Sequence, residues 1–273
     1  MKEIVFLNGK FIPAQEAMLP VVTPGFLYGW GLFESMRALR GKIIYLDAHL
    51  ERLRDSCALV GIKLSYSTRE FKNIIRKVIA QNNFTDAYIR LTLWKSEQGT
   101  DILVRVIKYK AFSIAKYHKG FRLYLSSFTK DEHSLLSRLK TTNYLLSLLA
   151  YQEAKEKGFD EALILNCGGY ISEAARSNIF LIKENQILTP DLACGGLDGI
   201  TRRVILDLAA KFKIKIYEGK FVIRDLLNAE EAFLTNSLIG VMPLASLGRK
   251  MIGDDRCGRL SSFMQKQYNS LLK

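Results

Sequence analysis

Three short stretches carry residue types that can do chemistry: Lys140-Thr-Thr-Asn143, Ile171-Ser-Glu173 followed by Asn178, and Gly199-Ile-Thr-Arg202. Lys140 offers an amine nucleophile, which needs a rigid element and a desolvated or cationic setting to hold enough neutral base. Glu173 lies between two apolar, strand-like runs, where a carboxylate could stabilise a protonated ring nitrogen. The third stretch follows the glycine-rich Cys194-Gly-Gly-Leu-Asp-Gly199. It opens a helix whose N–H groups, positive dipole end and Thr201 hydroxyl suit a phosphate. Each has a plainer reading: a solvated lysine, a turn glutamate paired with Arg176, a glycine-rich cap. Together, amine, carboxylate and phosphate seat are what pyridoxal phosphate requires, through a Schiff base, a charge partner at the ring nitrogen and an anion cradle.

The elements that must position these residues follow from periodicity. Apolar runs on either side of Asn8-Gly9 predict a hairpin, and the pattern repeats from Phe33 to Leu39 and on through Ile43. Asp47 reads as the N-cap of a helix carrying Leu50, Leu53, Cys57 and Ala58 at helical spacing. A second helix is predicted over 68–81, strands over 88–94 and 102–109, and a linker over 111–119. Beyond it the pattern gives a strand over 121–125, a helix over 143–157, strands near 161–165, 170–171 and 178–182, and a helix over 200–212. Because the strands come in hairpin-like pairs, the expected class is α+β with antiparallel-rich sheets, in two domains, 1–115 and 116–273.

Bulk properties exclude several classes. With 48% hydrophobic and 25% charged residues over 273 positions, the chain reads as globular rather than disordered. No apolar stretch approaches a membrane span, and Met1-Lys-Glu-Ile-Val-Phe-Leu-Asn-Gly9 lacks the features of a secretory signal. A cytoplasmic location without membrane partners is therefore expected. Cys57, Cys167, Cys194 and Cys257 are scattered without a C-x-x-C pair and read as reduced thiols, with His49, His118 and His133 too few to suggest a metal site. The net charge of +13 would suit nucleic acid or a small anionic substrate. Lys155 and Lys157 close a helix before Gly158, and Lys211, Lys213 and Lys215 alternate as on the exposed face of a strand near a sheet edge. Solvated lysines and the lack of any nucleic-acid motif leave a small anionic substrate as the expected partner.

Set in order along the chain, Pro24-Gly-Phe-Leu-Tyr-Gly-Trp-Gly-Leu-Phe-Glu-Ser-Met-Arg37, His49-Leu-Glu-Arg-Leu53, Tyr88-Ile-Arg90 and the three stretches above resemble the fold-type IV pyridoxal-phosphate enzymes. That family comprises branched-chain aminotransferases, D-amino acid aminotransferases and 4-amino-4-deoxychorismate lyases, and the likeness covers nearly the whole chain. It implies a small α+β domain, a larger antiparallel-rich pseudo-barrel domain, a cofactor at the domain interface, and a homodimer. By resemblance Lys140 is the Schiff-base lysine and proton shuttle, and Glu173 the partner of the ring nitrogen. Arg52, Ile200 and Thr201 match phosphate-binding positions, with Ser237 a further contact and Tyr144 near the ring hydroxyl. Tyr28 matches a pocket-lining position, and Tyr88 and Arg90, two apart on a strand, would face the substrate together.

The segment Thr235-Asn-Ser-Leu-Ile-Gly-Val-Met-Pro243 resembles the lyase pattern Asn-Ser-Leu-x-Gly-x-x-Pro, with Asn236 placed to donate to a substrate carboxylate or hydroxyl. On that segment the expected activity is an aminodeoxychorismate lyase of folate synthesis, giving 4-aminobenzoate and pyruvate. The alternative is an aminotransferase for D- or branched-chain amino acids, and a remote one is a basic binding protein without enzymatic activity. Two departures bear on the substrate. The loop Trp94-Lys-Ser-Glu-Gln-Gly99 lacks an expected arginine, with Lys95 its candidate stand-in, and Trp30 replaces the usual aspartate between Gly29 and Gly31.

Overall fold

The computed structural model describes residues 2–253 and 258–272, and counts of elements refer to those residues. The chain divides into two compact units, Met1–Lys110 with Leu139–Asn143, and Ala111–Arg138 with Tyr144–Lys273.

In the first unit, β1 (Ile4–Leu7) and β2 (Lys10–Pro13) form the expected hairpin, with Asn8 at φ 46° and Gly9 at φ 90° supplying the left-handed turn. Then come α1 (Pro24–Leu27), β3 (Gly31–Leu39), β4 (Lys42–Ile43), α2 (Leu46–Leu59), α3 (Thr68–Gln81), β5 (Ala87–Ser96) and β6 (Gly99–Lys108). The six strands pair antiparallel in the order β2-β1-β6-β5-β3-β4. Alternation along β3 turns Leu32, Met36 and Ala38 into a core shared with Leu50 and Leu53 of α2 and Phe71, Ile75 and Val78 of α3. A capping box between Ser67 and Glu70 starts α3. The start of α2 differs from the sequence expectation: Tyr45, at φ 51°, is the N-cap, and Asp47 lies inside the first turn, where its charge still meets the positive helix end.

The short segment Leu139–Asn143 belongs to this unit because it lies along the start of β3. The Phe33 N–H donates to the Lys140 carbonyl at 2.8 Å, the Thr142 N–H to Gly31 O at 2.9 Å, and the Thr141 hydroxyl to Gly31 O at 3.0 Å. The Thr142 hydroxyl and the Asn143 amide both donate to Gly29 O at 2.8 Å. Gly29 (φ 63°) must be glycine here, since a Cβ would sit 2.5 Å from Asn143 Oδ1.

The second unit opens with α4 (Ile114–Lys119), where sequence suggested a linker; six residues are too few to show a period, but the Ser113 hydroxyl caps the Lys116 N–H. There follow β7 (Phe121–Lys130), α5 (Leu135–Arg138), α6 (Leu145–Glu156), β8 (Glu161–Asn166), β9 (Ile171–Ala174), β10 (Asn178–Lys183), β11 (Gln186–Pro190) and α7 (Ile200–Lys211). The chain then runs through β12 (Ile216–Gly219), α8 (Ile223–Leu227), β13 (Glu231–Asn236), β14 (Gly240–Leu247), β15 (Lys250–Met251) and α9 (Arg259–Leu271). Nine strands form one sheet, β12-β11-β10-β13-β14-β7-β8-β9, with β15 on β14. Most pairs are antiparallel, but β7 runs parallel to both β8 and β14, and β11 to β12. The β7–β8 connection through α5 and α6 is a helical crossover, which parallel neighbours require.

Gly158 (φ 79°) ends α6 as expected. Lys211, Lys213 and Lys215 do not share a strand face: Lys211 ends α7, Lys213 takes φ 56° in its C-terminal stop, and Lys215 precedes β12. Cys57 and Cys194 are buried unbridged thiols and Cys167 is exposed, while Cys257 lies outside the described residues. No described helix is long and apolar enough to cross a membrane.

Candidate active site

The first unit holds Lys140 by its backbone against β3, so the amine projects from a fixed base. Its Nζ lies 4.7 Å from the centroid of the buried Phe33 ring, and the Arg90 guanidinium stacks on that ring at 3.8 Å. Register pairs Ser35 with Arg90 and Arg37 with Tyr88 on the neighbouring strand, and the Tyr88 and Ser35 hydroxyls meet at 3.3 Å. Tyr28, the C-cap of α1, is 72% exposed and makes no such contact with these residues.

Beneath this face lies a charged cluster. His49 and Arg52, one helical turn apart on α2, both reach Glu34 of β3, which is 1% exposed. Arg52 grips the carboxylate with Nε on Oε1 at 2.8 Å and Nη2 on Oε2 at 2.6 Å, while His49 Nδ1 lies 2.7 Å from Oε2. Burial alone would raise the Glu34 pKa, but the Arg52 charge and the His49 hydrogen bond outweigh it and bring it down to about 2. His49 is pushed below the usual imidazole range, first by burial and then by the positive charges of Arg52 and Lys140, against the pull of Glu34. An ionised Glu34 thus fixes the plane of the Arg52 guanidinium. Sequence reading missed Glu34 and His49, although both interrupt apolar rows: Glu34 falls in the Leu32, Met36, Ala38 row, and His49 in the Leu46, Leu50, Leu53 stripe.

In the second unit Glu173 sits on β9. Its Oε1 accepts from Lys130 Nζ at 2.7 Å, and its Oε2 from the Leu197 N–H at 3.0 Å and the Asn178 amide at 3.4 Å. Glu173 therefore does not pair with Arg176, whose Nε bonds the buried Glu161 at 3.3 Å. Asn178 also donates to Leu197 O at 2.7 Å, and its Oδ1 would lie 2.0 Å from a Cβ at Gly199, so only glycine fits before α7. Gly199 provides no side-chain cap, and Ile200, Thr201 and Arg202 are 3%, 2% and 2% exposed. A buried helix start without a side-chain cap calls for an external acceptor. The Tyr144 hydroxyl donates to Ala175 O at 2.8 Å, and burial followed by the Glu173 and Glu161 charges pushes its pKa up.

Asn236 uses both ends of its amide locally. Nδ2 donates to Arg176 O at 3.1 Å and lies 3.0 Å from Ser177 Oγ, while Oδ1 accepts from the N–H groups of Leu238 and Ile239, both at 2.9 Å. It ties the turn carrying Ser237 to the loop that follows Glu173.

The family model described as "Amino-transferase class IV" matches residues 31–247. The chain is 33% identical to the branched-chain-amino-acid aminotransferase of Pseudomonas aeruginosa, over 98% of this chain and 92% of that one. Its fold matches the Escherichia coli branched-chain amino acid aminotransferase with a TM-score of 0.93 at 27% identity, covering 100% of this chain and 95% of the other. A T.th. branched-chain amino acid aminotransferase complexed with N-(5'-phosphopyridoxyl)-L-glutamate matches at TM-score 0.91 and 25% identity, covering 99% of this chain and 94% of that one. The α+β architecture is therefore the fold-type IV one, and the cofactor is pyridoxal phosphate.

The residues present fit that group: an amine on a segment held to β3 by backbone hydrogen bonds, a carboxylate held by three donors, and a buried helix start lacking a side-chain acceptor. The expectation of an aminodeoxychorismate lyase of folate synthesis is overturned, because the relatives and solved structures named above are branched-chain aminotransferases. The segment that suggested the lyase has a local explanation, since its asparagine is consumed in closing a turn. With a family model spanning most of its length and a relative one-third identical from end to end, the chain is a member of the class IV amino-transferase family.

Proposed function

We propose that this protein is a pyridoxal-phosphate-dependent aminotransferase that moves the amino group of a branched-chain amino acid to a 2-oxo acid. The match to branched-chain aminotransferases along nearly the whole chain carries the reading. Bound pyridoxal phosphate supplies the conjugated ring that accepts the electron pair of the substrate carbon. Lys140 would anchor it, and its freed Nζ would take a proton from the carbon bearing the substrate nitrogen and deliver it to the cofactor carbon that began as the aldehyde, the net shift that amine transfer requires. Glu173 would accept from the protonated ring nitrogen, and Tyr144 would stand near the ring hydroxyl. The N–H groups at Ile200 and Thr201, with Arg52 and Ser237, hold the phosphate, and Glu34 keeps Arg52 in place for it. Tyr28, Tyr88 and Arg90 line the substrate site. Among the described residues Arg90 has no carboxylate partner, which favours a substrate carboxylate there.

Purified enzyme given L-leucine, L-isoleucine or L-valine with 2-oxoglutarate should form glutamate. Cofactor-loaded protein that transfers from D-amino acids but from none of these three would replace the reading.

The homodimer belongs to the same proposal. Met18, Val21, Val22 and Phe26 in the first unit, and Leu145 and Leu148 in the second, are exposed apolar side chains, as expected of surfaces covered by a second copy. Sedimentation should give twice the chain mass, and Val21→Lys or Leu145→Lys should shift it toward the monomer.

A further inference from the structure

Among the described residues Glu173 has one charged partner, Lys130, the last residue of β7. Its Nζ lies 2.7 Å from Oε1, and the two side chains are 11% and 12% exposed. Its position is set locally. A shift of register between Leu125 and Thr129 brings Lys130 opposite Asn166, the Cys167 N–H donates to its carbonyl at 3.0 Å, and Nζ lies 3.4 Å from Ser137 O.

A carboxylate has about four lone-pair sites. Three on Glu173 are occupied: Lys130 on Oε1, and the Leu197 N–H and Asn178 amide on Oε2. One remains for a further donor, the number a protonated ring nitrogen requires. Of the three donors in place, only Lys130 carries charge. A charged ammonium on Oε1 holds the carboxylate more firmly than a neutral donor would and fixes the rotation that leaves the remaining lone pair open. We infer that Lys130 is a positioning residue for the cofactor: it holds Glu173 turned so that one lone pair meets the ring nitrogen. The inference rests on Glu173 serving that nitrogen.

The test separates the two. Holoenzyme is dialysed against an equal mixture of pyridoxal phosphate and its analogue with C–H in place of the ring nitrogen, and the bound ratio is read by mass spectrometry after release. Wild type should favour pyridoxal phosphate. In Lys130→Met the preference should fall by at least about tenfold, the size of one charge-assisted hydrogen bond, and Lys130→Arg should restore it. General damage to the site would weaken both ligands alike and leave the ratio unchanged, so an unchanged ratio in Lys130→Met overturns the inference. Glu173→Gln reports on the premise: if it too keeps the wild-type ratio, the assignment of Glu173 fails and the inference with it. Should Lys130→Met not fold, Lys130→Gln carries the same expectation, with circular dichroism confirming a folded chain.

Discussion

Replacing Glu34 by Gln should destabilise the first unit in a pH-dependent way. The carboxyl is brought down to about 2 from an ordinary 4.5, chiefly by Arg52 and His49 acting against burial. A difference of that size corresponds to about 3 kcal/mol near neutral pH, the same order as breaking a buried ion pair. Because the folded pKa is depressed, the contribution is complete above the unfolded value, shrinks to between about 1 and 2 kcal/mol at pH 3, and vanishes below the folded pKa. His49 is depressed as well, so the unfolded chain takes up its proton first and wild type loses stability as the pH falls through 6.5. Both tryptophans, Trp30 and Trp94, belong to this unit, so fluorescence during urea unfolding reports on it directly. Wild type and Glu34→Gln should differ by about 3 kcal/mol at pH 7.5 and converge as the buffer is taken to pH 3. A gap that is absent at neutral pH, or that widens with acid, would refute the account of Glu34 as an ionised buried partner of Arg52.

Further outcomes can be checked directly. Lys140→Ala should lose the borohydride-fixed cofactor adduct seen in wild type by mass spectrometry; the same adduct in the variant would move the anchor elsewhere. Asn236→Ala should cost about 1–3 kcal/mol in chemical unfolding, since it strips partners from two turn N–H groups, and a neutral effect would contradict its role in the turn. Burial pushes the Cys57 thiol up to about 11 and raises Cys194 as well, whereas Cys167 is exposed. Iodoacetamide at pH 8 should label Cys167 and spare Cys57 and Cys194 until denaturant is added, as peptide mapping would show.

Much of the fold was legible because its periods are local. The Asn8-Gly9 turn, the apolar stripe of α3 and the glycine stop of α6 each follow from a few neighbouring residues. Parallel pairing of β7 with β8 and β14 was not legible, since the choice is made by chain segments far apart in sequence. Lys140, Glu173 and the helix start at Ile200 were visible as residue types in order. Their settings were not: the sequence offers Arg176 as the neighbour of Glu173, whereas the structure gives it Lys130, 43 positions away. Asn236 misled for a related reason, because a motif records which residue is present and not what its side chain bonds. Glu34 and His49 were readable in principle, as polar residues in rows that otherwise face a core.

The strand-like docking of Leu139–Asn143 on the start of β3 also governs how the chain can be made and cut. Gly29 and Gly31 take their partners from Thr141, Thr142 and Asn143, more than a hundred residues downstream. During synthesis at roughly 5–20 residues per second, β3 would therefore wait on the order of 5–20 seconds for these partners, its first residues open to mispairing in the interval. No single cleavage point separates the two units, and a fragment ending at Lys110 would lack both the Leu139–Asn143 segment that pairs with β3 and the Lys140 amine.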